Sequence, residues 1–147
     1  MSAAKAKGTA FETLIVKALS SFWGGGFGLV PRRVAQEGFK DSGDIHGVSP
    51  FIIQAKAYKS WEDAIRLGLD GAEKQKIHAG EPYGVVFVKR ARRSIGDAYA
   101  VMNVATWARL LFRLRSAEEA LKAADPTAWE AHSARASLAN EMDFPRG

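Results

Sequence analysis

The chain of 147 residues contains no cysteine, which excludes disulfides and cysteine-ligated zinc. Histidine is scarce as well. His46, His78 and His132 stand apart without metal-ligand spacing, which speaks against a histidine-dominated metal site. There is no apolar run long enough to span a bilayer and no signal-peptide pattern. A cytoplasmic protein with no membrane partner is therefore expected. No internal repeat is visible.

A composition of 47% hydrophobic residues supports one domain with a real core. The net charge of +5 is unevenly spread. Residues 1–115 carry 18 Lys/Arg against 10 Asp/Glu, whereas residues 116–147 carry 3 against 6. A basic body suits a polyanion, because neutralised phosphates release condensed counterions. A basic protein with no nucleic-acid partner is the plainer alternative.

Apolar periodicity organises the first hundred residues. Phe11, Leu14, Ile15, Ala18, Leu19 and Phe22 form one stripe of an amphipathic helix, with Thr9 as N-cap and Trp23-Gly24-Gly25-Gly26 as its end. An extended stretch, Leu29 to Val34, follows. The turn-rich segment Gly38 to Gly43 leads into Asp44-Ile45-His46-Gly47-Val48. After Ser49-Pro50, Phe51 to Tyr58 reads as a strand, and the two strands should pair as a hairpin. Ser60 with Asp63 starts a second helix, carrying Trp61, Ala64, Ile65, Gly68, Leu69 and Ala72, and Gly80-Glu81-Pro82 stops it. Tyr83 to Arg90 suits a buried central strand, and Ala98 to Met102 a further one. A helix is expected over Thr106 to Arg115, carrying Trp107, Leu110, Leu111 and Leu114. Trp61 and Trp107 are expected in the core. The order of elements predicts an α/β fold, a mixed five-stranded sheet with helices on its faces. Residues 1–115 would form this domain and residues 116–147 a short helical extension or partly ordered tail.

The chemistry-bearing residues gather on the hairpin. Alternation along a strand puts Gln54 and Lys56 on one face and Ile53, Ala55 and Ala57 on the other. Polar groups on an otherwise apolar strand are costly unless they line a pocket. Asp44 opens the preceding strand and could lie beside Gln54 across the hairpin. A carboxylate, an amide oxygen and the Ala55 backbone carbonyl are hard ligands suited to Mg²⁺ or Mn²⁺. Lys56 would orient a water or stabilise charge on a phosphate. The competing reading makes Gln54 and Lys56 solvated residues of an edge strand and Asp44 a turn-capping residue. His46 shares the Asp44 face by alternation, though a lone histidine is commonly incidental.

Gly43-Asp44-Ile45 followed by Gln54-Ala55-Lys56 resembles the PD-(D/E)XK signature of restriction-endonuclease-like nucleases. More specifically, residues 5–112 resemble archaeal-type Holliday junction resolvases and their phage-encoded relatives. The matching segments are Lys7-Gly8-Thr9-Ala10-Phe11-Glu12, Arg32-Arg33, Ser42-Gly43-Asp44-Ile45, the Gln54-Ala55-Lys56 strand and Val85 to Arg90. The resemblance implies a restriction-endonuclease-like fold and a Mg²⁺-dependent nuclease that resolves four-way DNA junctions in recombination and repair. It implies catalytic roles for Glu12, Ser42, Asp44, Gln54 and Lys56, with Glu12 joining Asp44 and Gln54 at the metal. It also implies DNA contacts by Lys5, Lys7, Thr9, Arg32 and Arg33, supported by Lys59, Arg90, Arg92 and Arg93; a solvated basic face is the alternative for Arg90 to Arg93. Two symmetric cuts imply a homodimer.

One departure stands out: the acid usual before x-Lys is here Gln54, as in the Mrr-type restriction endonucleases. An Mrr-like nuclease on duplex DNA and a catalytically weak DNA-binding module therefore remain alternatives. Glu12 has a second reading too, since Thr9-x-x-Glu12 is also a capping box.

Overall fold

A computed structural model of the chain describes residues 3–22, 30–34, 43–139 and 144. Two compact units divide it, residues 1–103 with 144–147, and residues 104–143.

In the first unit, helix α1 (Ala3–Ser21) precedes β1 (Arg32–Val34), β2 (Gly43–Val48) and β3 (Phe51–Lys56). Helix α2 (Trp61–Ala79), β4 (Tyr83–Val88), a 3₁₀ turn (Ile95–Asp97) and β5 (Tyr99–Val101) complete it. The five strands form one mixed sheet in sequence order. Neighbours are antiparallel except β3 and β4, which run parallel. That single parallel pair needs a crossover, and α2 supplies it. The expected order and the hairpin are as the sequence predicts.

The two faces of the sheet are filled differently. On the α1 side, Phe11 and Ile15 pack with Ile45, Ile53, Ala55 and Val85. On the α2 side, Ala64 packs with Val86 and Val88. Small residues let α2 come close to the strands. A Cβ on Gly68 would lie 2.4 Å from Val86 Cγ2, and one on Gly84 would lie 2.6 Å from the Ala72 carbonyl oxygen. The caps of α2 match expectation. Ser60 accepts from the Asp63 amide at its start, and Gly80 closes it in the left-handed region at φ 69°.

Three expectations are corrected. Thr9 is not an N-cap, because α1 begins at Ala3, well before it. Alanines at positions 3, 4, 6 and 10 favour helix strongly enough to carry it through Gly8, so no capping box forms between Thr9 and Glu12. The expected boundary at 115/116 falls inside a continuous helix, α3 (Val104–Ala124), and the compact units divide at 103/104 instead. Trp61 and Trp107 are not core residues but 56% and 55% exposed. Helical spacing shows which residues share a face, not whether anything covers it.

In the second unit, α3 pairs with α4 (Pro126–Ala139). Asp125 accepts from the Ala128 amide at 3.1 Å, and Pro126 occupies the first helical position, so one dipeptide ends α3 and starts α4. His132 Nε2 lies 2.9 Å from Glu118 Oε2 across the pair, and the Lys122 ammonium stands over the Trp129 ring. The second unit is thus helical on both sides of Asp125. Among the described residues, no helix is long and apolar enough to cross a membrane.

Candidate active site and nucleic-acid interface

The site is built on the β2–β3 hairpin. Asp44 pairs in register with Gln54 on β3 and with Val34 on β1. Gly47 holds the hairpin's form. Its φ is +77°, and a Cβ there would meet the Val30 carbonyl oxygen at 1.9 Å. Only glycine satisfies both constraints.

On β3, Gln54 is fully buried and Lys56 is 6% exposed. Both turn to the α2 side. A Cβ on Gly71 would lie 3.2 Å from Gln54 Oε1, and one on Gly68 would lie 3.3 Å from Lys56 Cγ. The strand is paired on both sides, so the edge-strand reading of Gln54 and Lys56 does not apply. Ala55 lies between Gly43 on β2 and Phe87 on β4, its carbonyl part of a strand laddered on both edges. At the end of β3 the Lys56 ammonium donates to the Tyr58 hydroxyl at 3.4 Å and stands 5.4 Å from the centre of that ring. Tyr58 is a partner that sequence reasoning passed over. Its position two residues beyond Lys56, the same-face spacing of an extended chain, was the available signal.

Glu12 comes to the sheet from the other side. It is buried on α1 beside Phe11, and its Oε2 accepts from Arg33 Nε at 2.7 Å. Arg33 lies opposite Ile45, which packs in the α1-side core. The structure therefore brings together Asp44, Gln54 and Lys56 along the hairpin but not Glu12, whose carboxylate is engaged by Arg33. For a divalent ion, Asp44 and Gln54 offer a carboxylate and an amide oxygen at paired positions, a fit in donor type. Among the described side chains, no group of three His, Asp or Glu residues could hold a metal.

Comparison with models of protein families, with curated proteins and with solved structures yields no match. Function is therefore read from the site alone.

The basic residues fall into two groups. Lys7 is exposed and Thr9 half-buried on α1, and Arg32 and Arg33 are exposed on β1, an edge strand. Lys5 lies in the first turns of α1. Lys59 follows β3, and Arg90, Arg92 and Arg93 follow β4. The Arg90 guanidinium sits 4.8 Å from the centre of the Tyr99 ring and donates to the Asp97 carbonyl at 3.2 Å. Ser42 lies outside the described residues.

His46 pairs with Arg32 across β1 and β2. Burial, and then the Arg32 guanidinium, lower its imidazole pKa below the ordinary 6.5, while the Glu81 carboxylate pulls the other way.

Proposed function

We propose that the chain is a metal-dependent, structure-selective DNA endonuclease with a restriction-endonuclease-like core, hydrolysing phosphodiesters in branched DNA such as four-way junctions. The observation that carries this reading is the hairpin register. Asp44 lies opposite Gln54, and Lys56 follows two residues on, nearly buried at the end of a central strand. A buried lysine two residues from a buried amide, on a strand whose partner carries Asp44 in register, is costly as decoration and useful as chemistry.

In this reading Asp44 and Gln54 would hold Mg²⁺ or Mn²⁺, with the Ala55 carbonyl adjacent, and the ion would polarise the scissile phosphate. Lys56 stabilises the negative charge that builds on the phosphate oxygens as water attacks phosphorus and the P–O bond to the leaving strand breaks. Tyr58 holds the ammonium at the strand end. Glu12 stays with Arg33, so its part is to fix β1 against α1 rather than to bind the ion. The exposed arginine and lysine side chains position the backbone without reading sequence. Paired cuts across a symmetric junction call for a homodimer.

One observation favours a second reading, a DNA-binding module with little catalysis. With Gln54 neutral and Glu12 engaged by Arg33, Asp44 is the one carboxylate left to this site among the three residues in question. Incubating the protein with a labelled four-way junction and a linear duplex, in Mg²⁺, Mn²⁺ or EDTA, separates the readings. Symmetric, metal-dependent junction cutting supports the endonuclease. Tight binding without cutting in any metal supports the binding module. Asp44→Asn and Lys56→Ala should each abolish cleavage and leave binding largely intact; retained cleavage in both sinks the site.

A further inference from the structure

The C-terminal ends of β3 and β4 and the start of β5 collect a second set of residues, of which the cleavage chemistry uses only Tyr58. Helix α2 runs back along the strands it covers. Its Ala72 meets Gly84 near the start of β4, and its Ala64 meets Val86 and Val88 near the end. Trp61, the first residue of α2, therefore lies beyond Ala64, at the edge where β3 and β4 finish. The same edge is closed by the Lys89 amide donating to the Lys56 carbonyl at 2.9 Å, and Tyr99 of β5 pairs with Val88 there. So Tyr58, Lys59 and Trp61 leave β3 beside Lys89 and Arg90, which leave β4.

Three aromatic rings at this edge are open to solvent: Tyr58 at 42%, Trp61 at 56% and Tyr99 at 43%. Lys59 and Lys89 at the same edge are exposed, and the Arg90 guanidinium already lies over Tyr99. The nearby Asp63 carboxylate is occupied by Arg66 at 3.2 Å. Exposed rings and cations gathered at one edge match the two halves of a single-stranded nucleic acid. Base faces stack on aromatics, and the backbone tracks a positive groove. Paired duplex keeps its base faces covered and offers nothing to the rings.

We propose that this edge is a binding platform for unpaired nucleotides of DNA, with Trp61 and Tyr58 stacking on bases and Lys59 and Lys89 facing the phosphates. The choice of DNA rests on the reading under Proposed function, whereas the stacking needs no catalysis. The platform adjoins Lys56 through Tyr58, so a strand held there would leave its paired neighbour at the hairpin. Opened bases at a branch point would then be recognised as a feature that linear duplex lacks.

The test is fluorescence anisotropy of the full chain in EDTA, where no metal-dependent cutting occurs. The probe is a labelled oligothymidylate of about 20 nucleotides, long enough to cover such a site, compared with a blunt duplex of equal length. The wild type should prefer the single strand. Trp61→Ala and Tyr58→Ala should each weaken it by roughly fivefold to a hundredfold, the range found for one lost base–aromatic stack. Trp107→Ala, equally exposed on α3, should change nothing. Quenching of intrinsic fluorescence on binding should shrink in Trp61→Phe, which keeps an aromatic ring in place. Unaltered binding by Trp61→Ala and Tyr58→Ala, or equal affinity of the wild type for duplex, overturns the platform. Junction cutting in Mg²⁺ together with unaltered Trp61→Ala binding would remove the platform alone. Intact stacking with no cutting in any metal would remove the endonuclease alone.

Discussion

Replacing Gln54 by glutamate is the most informative single change in this protein. Gln54 is fully buried on the α2 side, so close to Gly71 that a Cβ there would lie 3.2 Å from its Oε1. A carboxylate there gives up hydration at a cost of several kcal/mol after relaxation. Lys56, two residues along the same strand face, stands ~7 Å away by strand geometry. At an effective dielectric of about 20 that separation returns about 2 kcal/mol. Asp44, in register with position 54, carries a like charge that repels the new one at least as strongly, so a net loss of roughly 3–5 kcal/mol remains in EDTA. For a chain of this size that is a fall in Tm of roughly 6–20 °C. The pH dependence has a definite sign. Burial raises the new carboxyl's pKa above its unfolded value, so the penalty is absent below about pH 4.3 and grows as pH rises through the folded pKa.

On the proposed reading, a divalent ion shared with Asp44 would change that balance. If free Mg²⁺ is at about 100 times its dissociation constant, binding to the folded state adds about 2.7 kcal/mol. Gln54→Glu should therefore be less stable than wild type in EDTA and recover most of the difference in Mg²⁺. Urea denaturation of both proteins in both conditions measures this directly. Adding Asp44→Asn to the variant should remove the Mg²⁺ response. A variant that is equally destabilised in EDTA and in Mg²⁺, with or without Asp44, would falsify the assignment of these two positions to a metal.

Gly47→Ala forces a Cβ into the Val30 carbonyl oxygen at φ +77°, and should cost at least ~2 kcal/mol in urea denaturation; a change under ~0.5 kcal/mol would mean the hairpin is not held as described. Arg33→Ala leaves the largely buried Glu12 carboxylate without its guanidinium and should cost roughly 1–3 kcal/mol. The same substitution in a Glu12→Gln background should cost clearly less, and equal losses in both backgrounds would show the pair to be uncoupled. For His46, whose folded pKa is lowered, the unfolded chain takes up a proton first as pH falls. The stability His46 contributes is therefore complete above about pH 6.5 and is lost as pH falls through its folded pKa. Arg32→Gln should raise that pKa in an NMR titration of the imidazole, since it removes one of the two lowering causes. An unmoved titration would leave burial as the sole cause.

The hairpin was legible because strand alternation and a tight turn are local properties. Asp44, Gln54 and Lys56 could be placed from spacing alone, and the caps of α2 were equally local. Glu12 was not legible. Position 12 shares α1 with Phe11 and Ile15, but whether it meets Thr9, an ion or Arg33 depends on how β1 lies against the helix, and residues 12 and 33 are far apart in sequence. The same limit applies to Trp61 and Trp107. Periodicity groups them with apolar neighbours, while exposure is decided by what the rest of the chain leaves uncovered. The break between units fell at Asn103 rather than Arg115 because charge composition changes along α3 while the helix itself continues.

The separation of Glu12 from Gln54 has a consequence for selectivity. A site with three carboxylates can hold an ion tightly and cut whatever phosphate reaches it. A site relying on Asp44 and a neutral amide holds an ion more weakly, because fewer charges offset its dehydration. Such a site gains most from a substrate phosphate that completes the ion's ligands, so metal and DNA should bind with positive coupling. Correct placement of the strand then matters more than metal concentration. In the proposed reading, the exposed rings and cations at this edge, from Tyr58 onward, lie where that placement would be made. On the proposed reading, weak metal binding would suppress cutting of ordinary duplex, and the platform would supply the missing binding energy only for DNA with opened bases. Gln54→Glu should therefore do more than restore metal affinity. It should raise cleavage of linear duplex relative to branched DNA, measured as the ratio of initial rates at low Mg²⁺. An unchanged ratio, with metal binding demonstrably tightened, would show that selectivity does not originate in the weakness of this site.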